Sequence, residues 1–285
     1  MNANKKVWIT EQIKEFVNNS SDNNMIEINE RVWKEPLIGF SNGADELYEE
    51  IKEDIGDFYW KPIDIFKFTY PDVDVIPEEL TVISWILPQT DQTKLAQRAE
   101  NNFPSRRWVL SRLYGEDFNK KVAKHTVNLL NNEGYRAVAP SLSPFWENIK
   151  YDKYTFASTW SERHTAYVCG LGTFGLCDGL ITPAGKAMRC GSVVAKISIE
   201  PDKRTYSKWN EYCLYYSKGI CKACIKRCPV QAISENGHNK LKCRQYQRET
   251  IKEYTINNYN LESTCCGLCQ IGVPCESGIP EFDCK

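Results

Sequence analysis

The feature that most constrains this chain is the distribution of its 13 cysteines, all of which fall within residues 169–285. Their number is odd, and residues 1–15 show no secretory apolar segment. Both facts argue against a framework of disulfides and favour metal ligation. Because the cysteines begin only past the middle of the chain, we expect a cysteine-free region followed by a metal-binding region.

Composition and charge exclude several classes of protein. The formal net charge of the 285-residue chain is −1, whereas a dedicated nucleic-acid-binding protein shows a basic excess. No apolar run reaches the roughly 18 residues that can span a bilayer, so we expect no membrane contact. The polar start of the chain lacks a secretory signal, which predicts a cytoplasmic protein.

The cysteine-free region carries the patterns of a mixed α/β (α+β) domain. Residues 81–87 (TVISWIL) are β-branched and aromatic, which is typical of a buried strand. Thr159 and Glu162 have the spacing of a capping box at the start of a helix. Periodicity and turn residues predict helices over residues 7–17, 47–55, 118–131 and 158–169, and further strands over residues 135–139, 179–182 and 192–199.

A glycine segment, Gly170-Leu-Gly172-Thr-Phe-Gly175, follows the last of these helices. It matches the GxGxxG pattern of dinucleotide sites, but a helix precedes it, a strand follows it, and the acidic residue expected about 20 positions on is missing. These departures disfavour a dinucleotide site. The glycines instead predict a tight bend between helix and strand, with close approach of a ligand or of another backbone segment.

The cysteine-rich region contains an iron–sulfur signature. Residues 221–229 (CKACIKRCP) match the second, third and fourth cysteines and the proline of the bacterial ferredoxin run CxxCxxCxxxCP. The first cysteine of that run would fall at Lys218, and Cys213 is the nearest replacement. Because the CP cysteine of two-cluster ferredoxins ligates the other cluster, a second set of cysteines is expected.

The other cysteines complete two sets of four. We expect the first set to hold one 4Fe–4S cluster on Cys213, Cys221, Cys224 and Cys275. We expect the second set to hold another on Cys228, Cys243, Cys266 and Cys269. Cys265 is an alternative to its neighbour in the second set, and the cysteines left over are Cys169, Cys177, Cys190 and Cys284.

Zinc is the alternative metal for this region. The motifs Cys221-x-x-Cys224 and Cys266-x-x-Cys269 have the spacing of the two halves of a four-cysteine zinc site. That site would leave four of the expected ligands unused and would not explain the CP signature. The cysteine spacing therefore favours clusters over zinc.

The order of these motifs resembles the epoxyqueuosine reductases and their relatives, the reductive dehalogenases. The glycine segment resembles the AGLGWIGK segment of that family, and residues 189–194 (RCGSVV) belong to a similar strand pair. In the cysteine region the matching stretches are residues 221–233, Cys243 and residues 266–275. The resemblance spans roughly residues 80–280.

The resemblance implies a cobalamin-binding α/β domain over residues 1–200 and a ferredoxin-like domain with two 4Fe–4S clusters over residues 201–285. Cobalamin would lie near the glycine segment. The candidate cobalamin-binding residues are Trp160, Gly170, Leu171, Gly172, Thr173, Phe174 and Gly175. The candidate proton donors precede or adjoin that segment and are Glu162, His164 and Tyr167.

The chain departs from the family pattern in three places. Members that reduce epoxyqueuosine carry an Asp proton donor before the glycine segment, whereas residues 156–164 (FASTWSERH) contain none. The last cysteine motif is CxxCx5C with Pro274 before the final cysteine, in place of CxxCxxxCP. The helical repeats that help such enzymes grip transfer RNA have no counterpart here, and the charge does not support transfer RNA as a partner.

These features predict an oxidoreductase that passes electrons through two clusters to cobalamin, for reductive chemistry on a small or nucleoside-like substrate. Its electrons would come from an external low-potential donor such as a ferredoxin or flavodoxin. Two alternatives stay open. One is an electron-transfer protein or reductive activator of a partner corrinoid protein, and the other is a flavin-dependent reductase on the same scaffold.

Overall fold

The computed structural model describes residues 2–281. The α-helices in this range are α1 (Asn2–Asn19), α2 (Leu47–Ile55), α3 (Pro62–Thr69), α4 (Asp91–Arg98), α5 (Arg106–Asn132), α6 (Glu162–Val168), α7 (Leu214–Lys218), α8 (Ala223–Lys226), α9 (Lys240–Tyr246) and α10 (Lys252–Tyr259). The strands are β1 (Asn24–Met25), β2 (Glu30–Arg31), β3 (Leu37–Asn42), β4 (Leu80–Pro88), β5 (Ala137–Val138), β6 (Asn148–Tyr151), β7 (Thr155–Ser158), β8 (Thr173–Phe174), β9 (Leu180–Ile181), β10 (Met188–Lys196), β11 (Ile233–Ser234) and β12 (Gly237–His238). None of these described helices is both long and apolar enough to cross a membrane.

A four-stranded antiparallel sheet forms the centre of the first region, with the strand order β3-β4-β10-β5. β4 and β10 pair along their whole length, from Leu80 opposite Lys196 to Pro88 opposite Met188. The predicted strand over residues 81–87 is confirmed. The strand predicted over residues 192–199 begins earlier, at Met188, and ends at Lys196.

Helices cover both faces of this sheet. Val82 and Ile86 of β4 pack with α2, α3 and α6, whereas Ile83 and Trp85 pack with α1 and α5. Because both faces of β4 are buried, its sequence reads as an almost uninterrupted apolar run. The mixed α/β architecture predicted for this region is confirmed.

α5 begins at Arg106 and so extends well beyond the helix predicted over residues 118–131. Ser105 caps its start, since the Ser105 side chain accepts a hydrogen bond from the Trp108 backbone N at 3.2 Å. Gly115 lies inside the helix because the Trp33 ring packs onto it, and a Cβ there would lie 2.4 Å from that ring. Tertiary packing therefore overrides the low helix propensity of glycine.

The start of α6 differs from its prediction. The helix begins at Glu162, and Ser161 is its N-cap residue, with the Ser161 hydroxyl accepting a hydrogen bond from the His164 backbone N. The predicted capping box of Thr159 and Glu162 is therefore wrong. Glu162 occupies the first turn of α6, which leaves its side chain free for the contacts described below.

The cysteine-rich region consists of short elements, α7 to α10 and the β11–β12 hairpin, joined by irregular segments and by a π-helical segment at Gln247–Ile251. Its final part hydrogen-bonds to the first region, because Lys186 N donates to Cys275 O at 2.9 Å and Ala187 N donates to Glu276 O at 3.3 Å. A division of the chain near Pro201 and a ferredoxin-like second domain stay predictions.

Candidate functional site

The four cysteines of the first set line one pocket. Cys213 is the N-cap residue of α7, and Gly219 ends that helix with a φ of 71°. This left-handed turn reverses the chain and returns Cys221 and Cys224, at the start of α8, towards Cys213. Cys275 reaches the same pocket from the irregular segment that follows residues 268–270.

One residue outside the predicted sets lines this pocket, and a second one contacts it. Lys186 lines it, and Lys186 Nζ donates a hydrogen bond to Cys177 Sγ at 3.2 Å. The Cys177 thiol also contacts Cys224 and Cys269. Hydrogen bonds with these two thiols, together with the Lys186 charge, hold the pKa of Cys177 well below its usual range. Cys177, which the sequence left outside both sets, therefore lies beside predicted ligands of each set.

The cysteines of the second set meet between α8 and α9. Cys228 follows α8, Cys243 lies in α9, and Cys266 approaches both from the C-terminal segment. Burial, with the nearby thiols of Cys243 and Cys228, raises the pKa of Cys266 to about 12. Cys269, the fourth member, lies near Cys266 and contacts Cys177.

Hydrogen-bond donors surround the sulfurs of the second set. Cys228 Sγ accepts from the Ala232 backbone N at 3.1 Å, and Cys243 Sγ accepts from Gln247 Nε2 at 3.4 Å. His238 in β12 also contacts the Cys243 thiol. Donors to ligand sulfurs are among the contacts that tune iron–sulfur clusters. The sequence interpretation assigned no role to His238.

The adjacent residues Cys265 and Cys266 have different surroundings. Cys265 Sγ accepts a hydrogen bond from Ser263 Oγ at 3.2 Å, and the Cys265 side chain packs beside Trp108. Cys266 instead lies near two other cysteines of the second set. This arrangement favours Cys266 over Cys265 as the ligand.

Cys169 and Cys190 lie in the core of the first region. Cys169 Sγ donates a hydrogen bond to Ser41 Oγ at 3.3 Å. Burial raises the pKa of each of these two thiols to about 12. Both are packed as small apolar residues. Cys284 lies outside the described residues.

The glycine segment forms the bend between α6 and the β8–β9 hairpin. Gly170 adopts a φ of 80°, and Leu171 N donates to Ala166 O at 2.9 Å, which ends α6. A Cβ at Gly172 would lie 2.2 Å from the Ile181 carbonyl oxygen. The close neighbour that requires this glycine is another backbone segment.

Other candidate cobalamin-binding residues are committed to core contacts. Trp160 is 1% exposed, and its ring stacks with those of Tyr48 and Tyr59 at centroid distances of 6.4 and 6.5 Å. Thr173 is buried, and its hydroxyl accepts a hydrogen bond from the Tyr212 backbone N at 2.9 Å. These contacts leave the Trp160 and Thr173 side chains no face for a corrinoid.

Glu162 carries a buried carboxylate at the start of α6. Its Oε2 accepts a hydrogen bond from Ser192 Oγ at 2.5 Å. Among residues 2–281 its buried Oε1 has no hydrogen-bond partner. Burial raises the pKa of this carboxyl to about 7, although the Ser192 hydrogen bond acts to lower it. A carboxyl with this pKa can hold and release a proton near neutral pH.

His164 and Tyr167 lie further along α6 and meet at Phe174. The His164 and Tyr167 ring centroids lie 4.8 and 6.0 Å from that of Phe174. Burial, followed by the Arg163 charge, lowers the pKa of His164 to about 4, so its ring is neutral at pH 7. Burial raises the pKa of Tyr167. Of the three candidate proton donors, Glu162 has the pKa best suited to proton transfer near neutrality.

Comparison with solved structures identifies the fold. No family model and no curated protein sequence matches the chain. A selenomethionine-labelled epoxyqueuosine reductase superposes with a TM-score of 0.50 at 16% identity, covering 96% of this chain and 68% of that protein. A catabolic reductive dehalogenase superposes with a TM-score of 0.52 at 14% identity, covering 86% of this chain and 30% of that protein. The chain has the fold of the epoxyqueuosine reductases and reductive dehalogenases.

A further reductive dehalogenase, whose structure suggests a mechanism for B12-dependent dehalogenation, matches with a TM-score of 0.51 at 14% identity. It covers 82% of this chain, and this chain spans only 29% of that protein. The resemblance to the epoxyqueuosine reductases and dehalogenases predicted from the motifs is confirmed at the level of fold. Coverage of 96% in the reductase match extends the shared fold beyond residues 80–280, which carry the motifs, into the first 79 residues.

Within this epoxyqueuosine reductase fold, Lys186 is the site residue that sequence reasoning missed, and Cys177 is one that it assigned to neither set. The available signal was position, because Cys177 follows the glycine segment directly and that segment was expected to bend the chain. Lys186 follows the predicted turn at residues 183–185. Nothing in the local sequence indicated that both turns face the cysteine-rich region.

Proposed function

We propose that this chain is an iron–sulfur oxidoreductase that carries electrons through two 4Fe–4S clusters to a reductive reaction. The observation that carries the proposal is the meeting of the four cysteines of the first set, from separate segments, around one pocket. Thiolates of this number are the ligands of a 4Fe–4S cluster. The proximity of the second-set cysteines to one another supports a second cluster.

Zinc is the competing occupant of these cysteines. A zinc ion holds four cysteine ligands about 2.3 Å from one point. Among residues 2–281, no three His, Cys, Asp or Glu side chains converge on a position for a single ion. In a 4Fe–4S cluster each thiolate binds a different iron, so the ligands surround a larger volume. The CP signature and the second set of four cysteines, which a four-cysteine zinc site leaves unexplained, support clusters over zinc.

An exposed apolar face beside the first set supports docking of an electron donor. α7 begins directly after one ligand of that set, and Ile220 directly precedes another. Trp209, Tyr216 and Ile220 are 52%, 39% and 50% exposed. Exposed Lys208 and Lys218 adjoin these residues in the chain. The lysines favour an acidic partner, and we infer that a low-potential ferredoxin or flavodoxin donates electrons here.

The proposed reaction replaces a leaving group on carbon by hydrogen. Breaking the C–X bond consumes two electrons and one proton, forms a C–H bond and releases X⁻. The external donor supplies the electrons, and the clusters pass them singly. Glu162 is the proposed proton source, because its buried carboxyl has a pKa of about 7. By analogy with the named activities of the fold neighbours, the substrate is small or nucleoside-like, and X is a halogen that leaves as halide or a hydroxyl group that leaves as hydroxide.

Cobalamin is the cofactor that the resemblance implies for such a reaction, and one fold neighbour is described as B12-dependent. Two of the residues expected to hold it are already occupied by protein contacts, because Trp160 is enclosed by aromatic rings and Gly172 by the Ile181 backbone. This packing favours a second candidate function. In that function the chain is an electron-transfer protein or reductive activator, and the corrinoid belongs to a partner protein.

Metal analysis of protein purified without oxygen tests the proposal. We expect about eight iron and eight sulfide per chain, as two 4Fe–4S clusters require. Stoichiometric zinc in place of iron would overturn the proposal. Absorption spectra then separate the two functions. A shift in the spectrum of added cobalamin, or release of a flavin by acid, supports substrate chemistry in this chain, whereas clusters alone support the electron-transfer protein.

A further inference from the structure

Lys186 is a buried cation inside the pocket of the first set. The residue is 3% exposed, and its Nζ donates a hydrogen bond to Cys177 Sγ at 3.2 Å. The groups that act on its charge are thiols, namely those of Cys177, Cys275, Cys269 and Cys224. Burial of an ammonium group is strongly unfavourable unless an anion compensates it. Thiolates, or the anionic clusters that they hold, are therefore its counter-charge.

The backbone fixes Lys186 in this position. Its N donates to Cys275 O at 2.9 Å, and Ala187 N donates to Glu276 O at 3.3 Å. Gly185 has a φ of 85°, and a Cβ there would lie 2.1 Å from the Glu276 carbonyl oxygen. The turn that carries Lys186 is thus docked onto the same segment that supplies Cys275 to the first set.

Cys177 places the ammonium group between the two sets. Its thiol contacts Cys224 of the first set and Cys269 of the second set. A Cβ at Gly179 would lie 3.4 Å from Cys177 Sγ and 3.5 Å from Lys186 Cδ, so the pair is closely packed from that side as well. The two sets therefore share one fixed positive charge.

We propose that Lys186, held by Cys177, is the charge-compensating residue of the two-cluster site and that it raises the reduction potential of the clusters. The inference rests on the two clusters of the proposed function. Each reduction adds one negative charge to an anionic cluster, so a nearby fixed cation stabilises the reduced form more than the oxidised form. Solvent screens this attraction only weakly at a buried site.

A redox titration of the anaerobic holoprotein, monitored by electron paramagnetic resonance, tests the inference with Lys186→Gln. The control is Lys67→Gln, which removes an exposed lysine of α3. We expect K186Q to keep about eight iron per chain. At the wild-type midpoint its ratio of reduced to oxidised cluster falls at least about tenfold, a shift of about 59 mV for one electron. An unchanged midpoint in iron-loaded K186Q would overturn the inference, as would an equal shift in K67Q.

Two more variants keep the inference testable if K186Q does not assemble clusters. Lys186→Arg keeps the charge and is expected to keep the iron and the wild-type potential, whereas loss of iron in K186R as well would overturn the inference. Cys177→Ala is expected to keep about eight iron, and a fall to about four would show that Cys177 is a ligand. Wild-type protein without iron would instead refute the proposed function.

Discussion

Glu162 Oε2 accepts a hydrogen bond from Ser192 Oγ at 2.5 Å, and Ser192 Oγ accepts one from Trp160 Nε1 at 3.0 Å. The carboxylate at the start of α6 is thereby fixed against β10, inside the central sheet. Burial raises its pKa to about 7, whereas burial lowers the pKa of His164 to about 4. One short helix thus carries two groups that burial shifts in opposite directions, each towards its neutral form.

Glu162→Gln is expected to remove a pH dependence of stability. Folding raises the Glu162 pKa from 4.5 to about 7. The contribution of Glu162 to the free energy of unfolding is therefore complete below pH 4.5 and is lost as the pH rises through 7. The fall is about 2–3 kcal/mol. In guanidinium unfolding of the anaerobic protein at pH values from about 5 to 8, the stability of E162Q relative to wild type should increase as the pH rises. The exposed carboxylate variant E147Q serves as the control, and parallel profiles for E162Q and wild type would contradict the assignment.

His164→Gln is expected to remove a pH dependence of stability whose sign is opposite to that of Glu162. Folding lowers the His164 pKa from 6.5 to about 4, so its contribution is full above 6.5 and is lost as the pH falls through 4. Between pH 6.5 and 4, H164Q should therefore lose less stability than wild type, by about 2–3 kcal/mol. The loss of the hydrogen bond between His164 and Ser161 reduces this gain. The same unfolding series, extended to about pH 4, measures it. Equal acid sensitivity would show that the imidazole is not buried in neutral form.

Cys266→Ala and Cys265→Ala separate two adjacent cysteines. Cys266 lies near other second-set cysteines, whereas Cys265 packs beside Ser263 and Trp108. Iron and sulfide analysis should therefore find about four iron per chain in C266A and about eight in C265A. The reverse result would move the ligand role to Cys265.

Gly172→Ala is expected to destabilise the fold at the bend before β8. The added Cβ would lie 2.2 Å from the Ile181 carbonyl oxygen, so one of the two backbone segments must move. Such overpacking costs about 1–3 kcal/mol or more. Gly278→Ala is the matched control, since the nearest atom to its Cβ is 3.8 Å away. Normal stability of G172A with impaired cofactor binding would instead show that a ligand occupies this position.

Charge reversal of Lys208 and Lys218 is expected to slow electron delivery from an acidic ferredoxin. Both lysines are exposed near the apolar face of Trp209 and Tyr216, and opposite charges accelerate encounter. Stopped-flow reduction of the double variant at low ionic strength should be about tenfold slower and less dependent on salt than in wild type. Lys67→Glu, an exposed change on α3, should have no such effect, and unaltered rates in the double variant would exclude this face.

Much of the first region was predictable because its elements are set by local patterns. α2 has the predicted bounds, and β4 extends the prediction by one residue at each end. The helix predicted over residues 118–131 falls short of the start of α5, because Gly115 interrupts the helical pattern. The Trp33 ring that requires Gly115 is far away in sequence, and no local pattern shows that contact.

The candidate site was predictable to the extent that its spacing is local. The CxxC pairs fall in or beside short helices, so their spacing alone brings the members of each pair together. Cys177 and Lys186 reach the site from the glycine segment and from the turn before β10. Only the docking of the C-terminal segment onto that turn brings them there, which is a tertiary contact.

Each predicted set combines cysteines from residues 213–243 with cysteines from residues 266–275. During synthesis the earlier cysteines emerge first and cannot complete either cluster until the later segment docks beside Gly185. In that interval the thiols are open to oxidation and to capture of a wrong metal such as zinc. The maturation of this protein therefore depends on when iron is inserted relative to folding.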